Sequence, residues 1–370
     1  MKKVTEHVKS DLAARIRPAV FADAEAIKQL HERNGMGWLD TAAWRSCWDS
    51  YPFAREFADI PIGWVLETDN GAVVGTIGNV HMLYEMDGRR FKAAIATAWV
   101  VDASHRGKAL HLTTIFFKQK GVDLFLNGSA SQTASHVLTG LRIPRIPIPN
   151  YDIPCFWAAS PMSFAKAALR RRGIPAASVL AYPAGIVLLV RDILRRSGRG
   201  TMSSTLRRLQ TFDDRFDSLW QRISAGPPRL RAVRTRAVLD WKFSSELSAG
   251  RAAILAAESA GKLAGYIVLV HRQGSDLGME LYDVSDIQAA GDDPTVFNDL
   301  LLGAIQLARK EGVDAVKLMT GTPAKRAPAD ALRPHTYQLP FWQLYYKASP
   351  ELSSALCSAE AWDFSLFDTY

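Results

Sequence analysis

A chain of 370 residues, 48% hydrophobic and 22% charged, is long enough for two cores, and its composition excludes a disordered or fibrous protein. Its three cysteines, Cys47, Cys155 and Cys357, are too few and too scattered for a disulfide framework or a zinc site, so reduced thiols, a cytoplasmic setting and no metal are expected. The net charge of +8 is concentrated: between Ser163 and Gln210 ten basic residues stand against one acid, Asp192, a local +9 that leaves the rest of the chain at −1.

The chain opens Met1-Lys2-Lys3 and runs on into polar residues, without the apolar stretch of a signal peptide. Ile16 to Pro18 reads as a strand, and Ala22 to Asn34 as an amphipathic helix with Ala26, Ile27 and Leu30 on one face. Gly63 to Thr68 and Ala72 to Leu83 read as a hairpin, Phe91 to Val101 as the next strand, His105 to Lys120 as a long helix and Val122 to Leu126 as a further strand. The most apolar run, Val179 to Val190, is too short to span a bilayer, which takes about 20 residues. Pro175 and Pro183 are expected to interrupt helix there. Gly198 to Ser204 reads as a link.

The pattern then returns. Phe212, Phe216, Leu219, Trp220 and Ile223 form a helical stripe, Ala253 to Ala257 and Leu263 to Val270 a hairpin, and Met279 to Val284 a strand. A helix capped by Asp293 and opened by Pro294 runs to Gly312, and Ala315 to Met319 is the next strand. The turn at Asn70 to Gly75 recurs 190 residues later at Ala260 to Gly265, and Lys120-Gly121-Val122-Asp123 recurs after 191 residues as Glu311-Gly312-Val313-Asp314. Two landmarks at one offset point to an internal repeat. The boundaries read as a first unit over 1–160, a basic and partly apolar linker over 161–210, and a second unit over 211–370.

The sharpest local feature is Val100-Val101-Asp102-Ala103-Ser104-His105-Arg106-Gly107-Lys108-Ala109-Leu110-His111. A strand, a polar turn and a helix start rich in small and basic residues can hold a pyrophosphate on unpaired backbone N–H groups. Here the chain resembles the GNAT acyltransferase superfamily, whose loop takes the form R-G-K-G-x-G. Ala109 stands where Gly is usual, and His111 where Gly or Ala is usual. The resemblance implies an α/β fold, a mixed sheet with flanking helices, in two tandem GNAT-like domains. It also implies acetyl-CoA or another acyl-CoA as co-substrate, with Val100 and Val101 binding the pantetheine arm and Arg106, Gly107, Lys108, Ala109, Leu110 and His111 the pyrophosphate.

The family's segment after the next strand falls on Ser131 to Ile143, and its usual tyrosine, which protonates the departing thiolate, falls on Leu138. His136 or Tyr151 would have to replace it. His81, Tyr84 and Glu85 are the nearest polar candidates on the hairpin, so His81, Tyr84 and His136 are the candidate catalytic residues. In the second unit Ser285 to Asp293 is rich in acids, which would repel a pyrophosphate. Its Phe212 to Trp220, Leu239 to Phe243 and Trp362 to Asp368 segments resemble tandem GNAT-like proteins of bacterial exopolysaccharide gene clusters.

The leading expectation is acyl transfer to an amine or hydroxyl of a small molecule, sugar or lipid-linked glycan. One alternative is a Fem-type transferase using aminoacyl-tRNA. Another is a non-catalytic scaffold or membrane-surface protein. The basic segment 163–210, with apolar residues between arginine clusters, suits peripheral contact with the anionic inner face of a membrane, or RNA; interleaved aromatics for RNA are only Phe164 and Tyr182.

Overall fold

The computed structural model describes residues 14–38, 40–196, 204–273, 278–339 and 342–370, excluding the side chains of 192–196. In chain order the elements are β1 (Ala14–Pro18), α1 (Ala24–Arg33), α2 (Thr41–Asp49), β2 (Gly63–Thr68), β3 (Val73–Met86), β4 (Arg89–Val101), α3 (Ala109–Lys118), β5 (Leu124–Ala130), α4 (Gln132–Gly140), β6 (Cys155–Ala158), α5 (Pro161–Arg171) and α6 (Ala177–Arg196). Then follow β7 (Thr205–Leu209), α7 (Asp214–Ser224), β8 (Arg231–Ala232), α8 (Arg236–Ser248), β9 (Ala252–Ser259), β10 (Lys262–Arg272), β11 (Leu281–Ala289), α9 (Pro294–Glu311), β12 (Ala315–Leu318), α10 (Pro323–Ala331), β13 (His335–Thr336), β14 (Gln343–Ala348) and α11 (Pro350–Ala355).

Two mixed sheets result. The first runs β1-β2-β3-β4-β5-β14 with β8 beside β3, and the second runs β13-β6-β12-β11-β10-β9-β7. The alternating apolar residues of each hairpin bury one face under helices. Leu66, Ile77, Leu112 and Phe116 pack in the first half, and Leu255, Ile267, Leu300 and Ala304 in the second. A third cluster, from Trp48, Leu83 and Leu126 to Phe216, Val268 and Trp362, joins the halves into one apolar core. The halves also trade strands. β6 lies antiparallel to β12 in the second sheet, and β14 lies antiparallel to β5 in the first. Each sheet is thus completed by a strand from across the nominal boundary, so Cys155 to Ala158 belong with the second sheet and Gln343 to Ala348 with the first.

Most expected elements form, with differences that have local causes. The helix expected over His105 to Lys120 is split into a 3-10 segment, Ala103–Lys108, and the shorter α3. It ends early because Gln119 turns extended, and β5 begins two residues late and runs on to Ala130. The strand expected at Met279 likewise begins at Leu281 and continues to Ala289. Pro183 does not stop α6, which spans 20 residues around it. The ring sits on an exposed flank, where water can satisfy the carbonyl one turn back. Gly312 ends α9 in the left-handed conformation, and Asp293 caps its start. The expected link at Gly198 to Ser204 lies outside the described residues except for Ser204. Arg207 and Arg208 of the basic segment belong to edge strand β7 and pair with Glu258 and Glu311.

Candidate active site

β4 and β5 run parallel through three residue pairs, Ala93 with Leu124, Ala94 with Phe125 and Ile95 with Leu126, and then part. Beyond that point β4 carries a bulge. Thr76 pairs with Val100 and Gly78 with Thr97, so Ala98 and Trp99 stand opposite one residue, and Ala98 takes a left-handed φ of 49°. A bulge adds twist and turns the strand away from its neighbour, which opens the gap. Val100 and Val101 still pair with β3, leaving their other edge toward the gap.

β4 leads into the basic turn, and the turn is anchored from behind. Asp102 accepts from Arg33 Nη2 at 2.6 Å and Asn34 Nδ2 at 2.8 Å, tying it to the end of α1. No side chain caps the 3-10 segment or α3. Arg106, Gly107, Leu110 and His111 are exposed, and Lys108 and Ala109 half-buried. Ser104, His105, Gly107, Lys108 and His111 line a shallow cavity of about 330 Å³ there. Gly107 has no left-handed φ, and a Cβ added to it would meet nothing within 4 Å. Neither the backbone nor the packing of the protein demands glycine at this point.

A second cavity, about 400 Å³, opens at the bulge. Trp38, Trp44 and Trp48 wall it, with Thr97 and Ala98 of β4, Ser129 of β5, His31 of α1, Cys47 of α2 and Tyr370. The tryptophans touch in series, Trp38 tilted against Trp44 at 5.7 Å and Trp44 edge to face with Trp48 at 5.0 Å between centroids. His31 is 3% exposed and its Nε2 has no hydrogen-bond partner among the described residues. Burial pushes the His31 pKa below its ordinary value, against the carbonyl groups of Ala98 and Gly37, which favour the charged form. Burial thus favours the neutral imidazole, the form that can accept a proton. Behind this cavity Lys242 of α8 reaches across from the second half, donating to Thr369 O at 3.2 Å and lying 3.3 Å from the Tyr370 ring centre. Burial lowers its pKa to about 7.

The three candidate catalytic residues are not brought together. His81 is buried in β3, stacked 4.9 Å from Phe57, with Nε2 3.2 Å from Pro61 O; burial lowers its pKa to about 4. Tyr84 donates to Asp368 Oδ1 at 2.7 Å in the core between the halves, where burial raises its pKa. His136 is exposed on α4. Tyr151 is buried, and Leu138 fills a core position. A tyrosine hydroxyl does reach α4 from elsewhere: Tyr345 of the exchanged β14 bonds Ser135 Oγ and lies 3.4 Å from Thr139 Oγ1. Burial would raise its pKa, but those hydroxyls and Arg145 outweigh burial and bring it below the ordinary value. Sequence reasoning missed His31, the tryptophan wall and Tyr345. The spacing of Trp38, Trp44 and Trp48 was the available signal for the wall. Nothing local marks Tyr345, because its place depends on the strand exchange.

In the second half the corresponding gap is closed. β11 parallels β12 over Leu281 to Asp283 and bulges at Ser285. Beyond it lie buried ion pairs, Arg234 Nε with Asp286 at 2.8 Å, Arg231 Nε with Asp363 at 3.2 Å, and Lys325 with Asp363. Tyr266 donates to Asp286 at 2.6 Å. The start of α9 is filled by its own Asp293, which accepts from Thr295 N at 2.8 Å. Asp292 pairs with Arg229 at 2.5 Å.

No protein-family model matches the sequence, and no curated relative matches it. Among solved structures, the chain is similar to a GCN5-related N-acetyltransferase from Anabaena variabilis (TM-score 0.56, 12% identity, 91% of this chain and 73% of that one). It is also similar to one from Kribbella flavida (0.54, 13%, 93% and 72%) and to Saccharomyces cerevisiae N-myristoyltransferase with bound myristoyl-CoA (0.54, 12%, 91% and 80%). At such identities the likeness defines the fold: two GNAT-like units in tandem, each with a mixed sheet flanked by helices.

Proposed function

We propose that this protein is an acyltransferase that takes an acyl group from acyl-CoA, bound in its first half alone, and gives it to an amine or hydroxyl. The observation that carries the reading is the gap between β4 and β5, which ends in a basic helix start without a side-chain cap, while its counterpart is closed by the protein's own carboxylates. The pantetheine arm would lie along the free edge of Val100 and Val101. The pyrophosphate would meet the backbone at Gly107, with Arg106, Lys108 and His111 supplying charge and donors. That explains a glycine the bare protein does not need.

The thioester would then reach the bulge, and the acceptor would enter the tryptophan-walled cavity, whose aromatic faces attract an alkylammonium group or stack on a sugar ring. His31 accepts the proton of the attacking amine or hydroxyl. The new C–N or C–O bond forms as the C–S bond breaks. The CoA thiolate takes up a proton, for which the Tyr345 hydroxyl beside α4 is the proposed source. A sugar or lipid-linked glycan is the acceptor that the exopolysaccharide resemblance favours. Titration with acetyl-CoA tests the reading: micromolar binding by the native chain, lost in a folded Arg106→Glu variant, is expected. Unchanged binding by that variant would refute the assignment.

A further inference from the structure

Helix α6 is built inside out. Of the nine large apolar side chains that stand exposed among the described residues, seven lie on it, with Val179 70%, Tyr182 66%, Ile186 54%, Val187 66% and Val190 49% exposed. The face it turns to the protein carries small residues instead, Ala177, Ala181 and Gly185. α5 comes so close that a Cβ on Gly185 would lie 2.4 Å from Met162 Sδ. Single exposed apolar side chains are ordinary, but a continuous apolar helix face marks a surface that is covered in use.

What covers it is indicated by charge. The α5–α6 hairpin is basic: Arg170, Arg171 and Arg172 stand at its turn, Lys166 midway along α5, and Arg191 on α6, bonded to His335, with Asp192, Arg195 and Arg196 following in sequence. Basic and apolar residues also meet at one place. A cavity of about 650 Å³ between α5, α6 and β13 has Phe156, Leu188 and Val187 among its apolar walls and Arg171, Arg172 and Arg191 among its lining. Two copies packed through this face would bring identical basic segments together, since a twofold interface sets the same patch against itself. An anionic bilayer supplies both complements, acyl chains for the apolar face and phosphates for the arginines. No helix among the described residues is long and apolar enough to cross a membrane. We infer that the α5–α6 hairpin is a membrane-surface anchor that lays α6 in the headgroup region of an anionic bilayer. This is independent of the reading of the cleft.

The test is co-sedimentation of the full chain with vesicles of phosphatidylglycerol and phosphatidylcholine in equal parts, and with phosphatidylcholine alone. Binding to the anionic vesicles, weakened by salt, is expected. A Val179→Ser, Ile186→Ser, Val187→Ser triple variant changes only exposed side chains and should stay folded by circular dichroism. It and Arg170→Glu, Arg172→Glu should each reduce vesicle affinity by roughly tenfold or more. Acyl-CoA binding should not change in either. No binding to the anionic vesicles, or binding that both variants retain, overturns the inference. So does a concentration-dependent dimer abolished by the triple variant in a chain that ignores vesicles, because a second copy would then be the cover.

Discussion

In both halves a bulged strand runs beside its parallel neighbour for three residue pairs and then leaves it, and the two halves use the gap in opposite ways. In the first half the gap stays open. Its far end is a helix start without a side-chain cap, among Arg106, Lys108 and His111, and its near end is an aromatic cavity. In the second half Arg234, Asp286, Arg231, Asp363 and Lys325 fill the space, and Asp293 occupies the helix start. One fold thus supplies two equivalent clefts, and side-chain charge sets them apart: the first keeps an open, basic helix start, and the second is filled by ion pairs that make it a joint. The filled cleft sits where the halves meet, with Asp368 bonded to Tyr84 of the first sheet.

If the second cleft is structural, breaking its pairs should cost stability and leave ligand binding alone. Arg234→Met strands Asp286 and Asp368 as buried charges and should destabilise the protein by roughly 3–5 kcal/mol in urea unfolding. Acyl-CoA affinity of the fraction that remains folded should be unchanged.

Within the first half His81 and His31 differ in the same way: both are buried, His31 in the wall of the tryptophan-lined cavity and His81 stacked on Phe57. The folded pKa of His81 is lowered to about 4 from 6.5, so between those values the unfolded chain binds more protons. Its contribution is complete above pH 6.5 and falls away as pH drops toward 4, a loss of about 3 kcal/mol. His81→Gln should flatten that part of the stability profile measured by urea unfolding at pH 6.5 and 4.5. His31→Gln should instead act on turnover, lowering kcat roughly a hundredfold while acyl-CoA affinity holds. The acidic limb of kcat/KM, centred below pH 6.5 in the native chain, should disappear with it.

The fold was largely readable from pattern. The hairpins at Asn70 to Gly75 and Ala260 to Gly265 and the helix stop at Gly312 are local devices, and each stands where the residues indicate. The strand exchange was not readable, because β6 and β14 are short and their partners are set by distant packing. The basic turn from Asp102 to His111 was legible because a strand, a polar turn and a basic helix start follow one another in a contiguous motif. His31 and Tyr345 were not, because each gains its setting from elements remote in sequence. His31 depends on the bulge at Ala98, and Tyr345 on β14 crossing to α4. Pro183 misled for the opposite reason: the rule against proline in helices weakens on an exposed flank.

Binding of acyl-CoA by one cleft of the two, through the backbone at Gly107, is decided by calorimetric titration of the native chain and of Gly107→Val with CoA. One site per chain is expected in the native protein and none in the variant, which should stay folded by circular dichroism because a Cβ at 107 would meet nothing within 4 Å. Two sites per chain, or one site that Gly107→Val leaves intact, would contradict it.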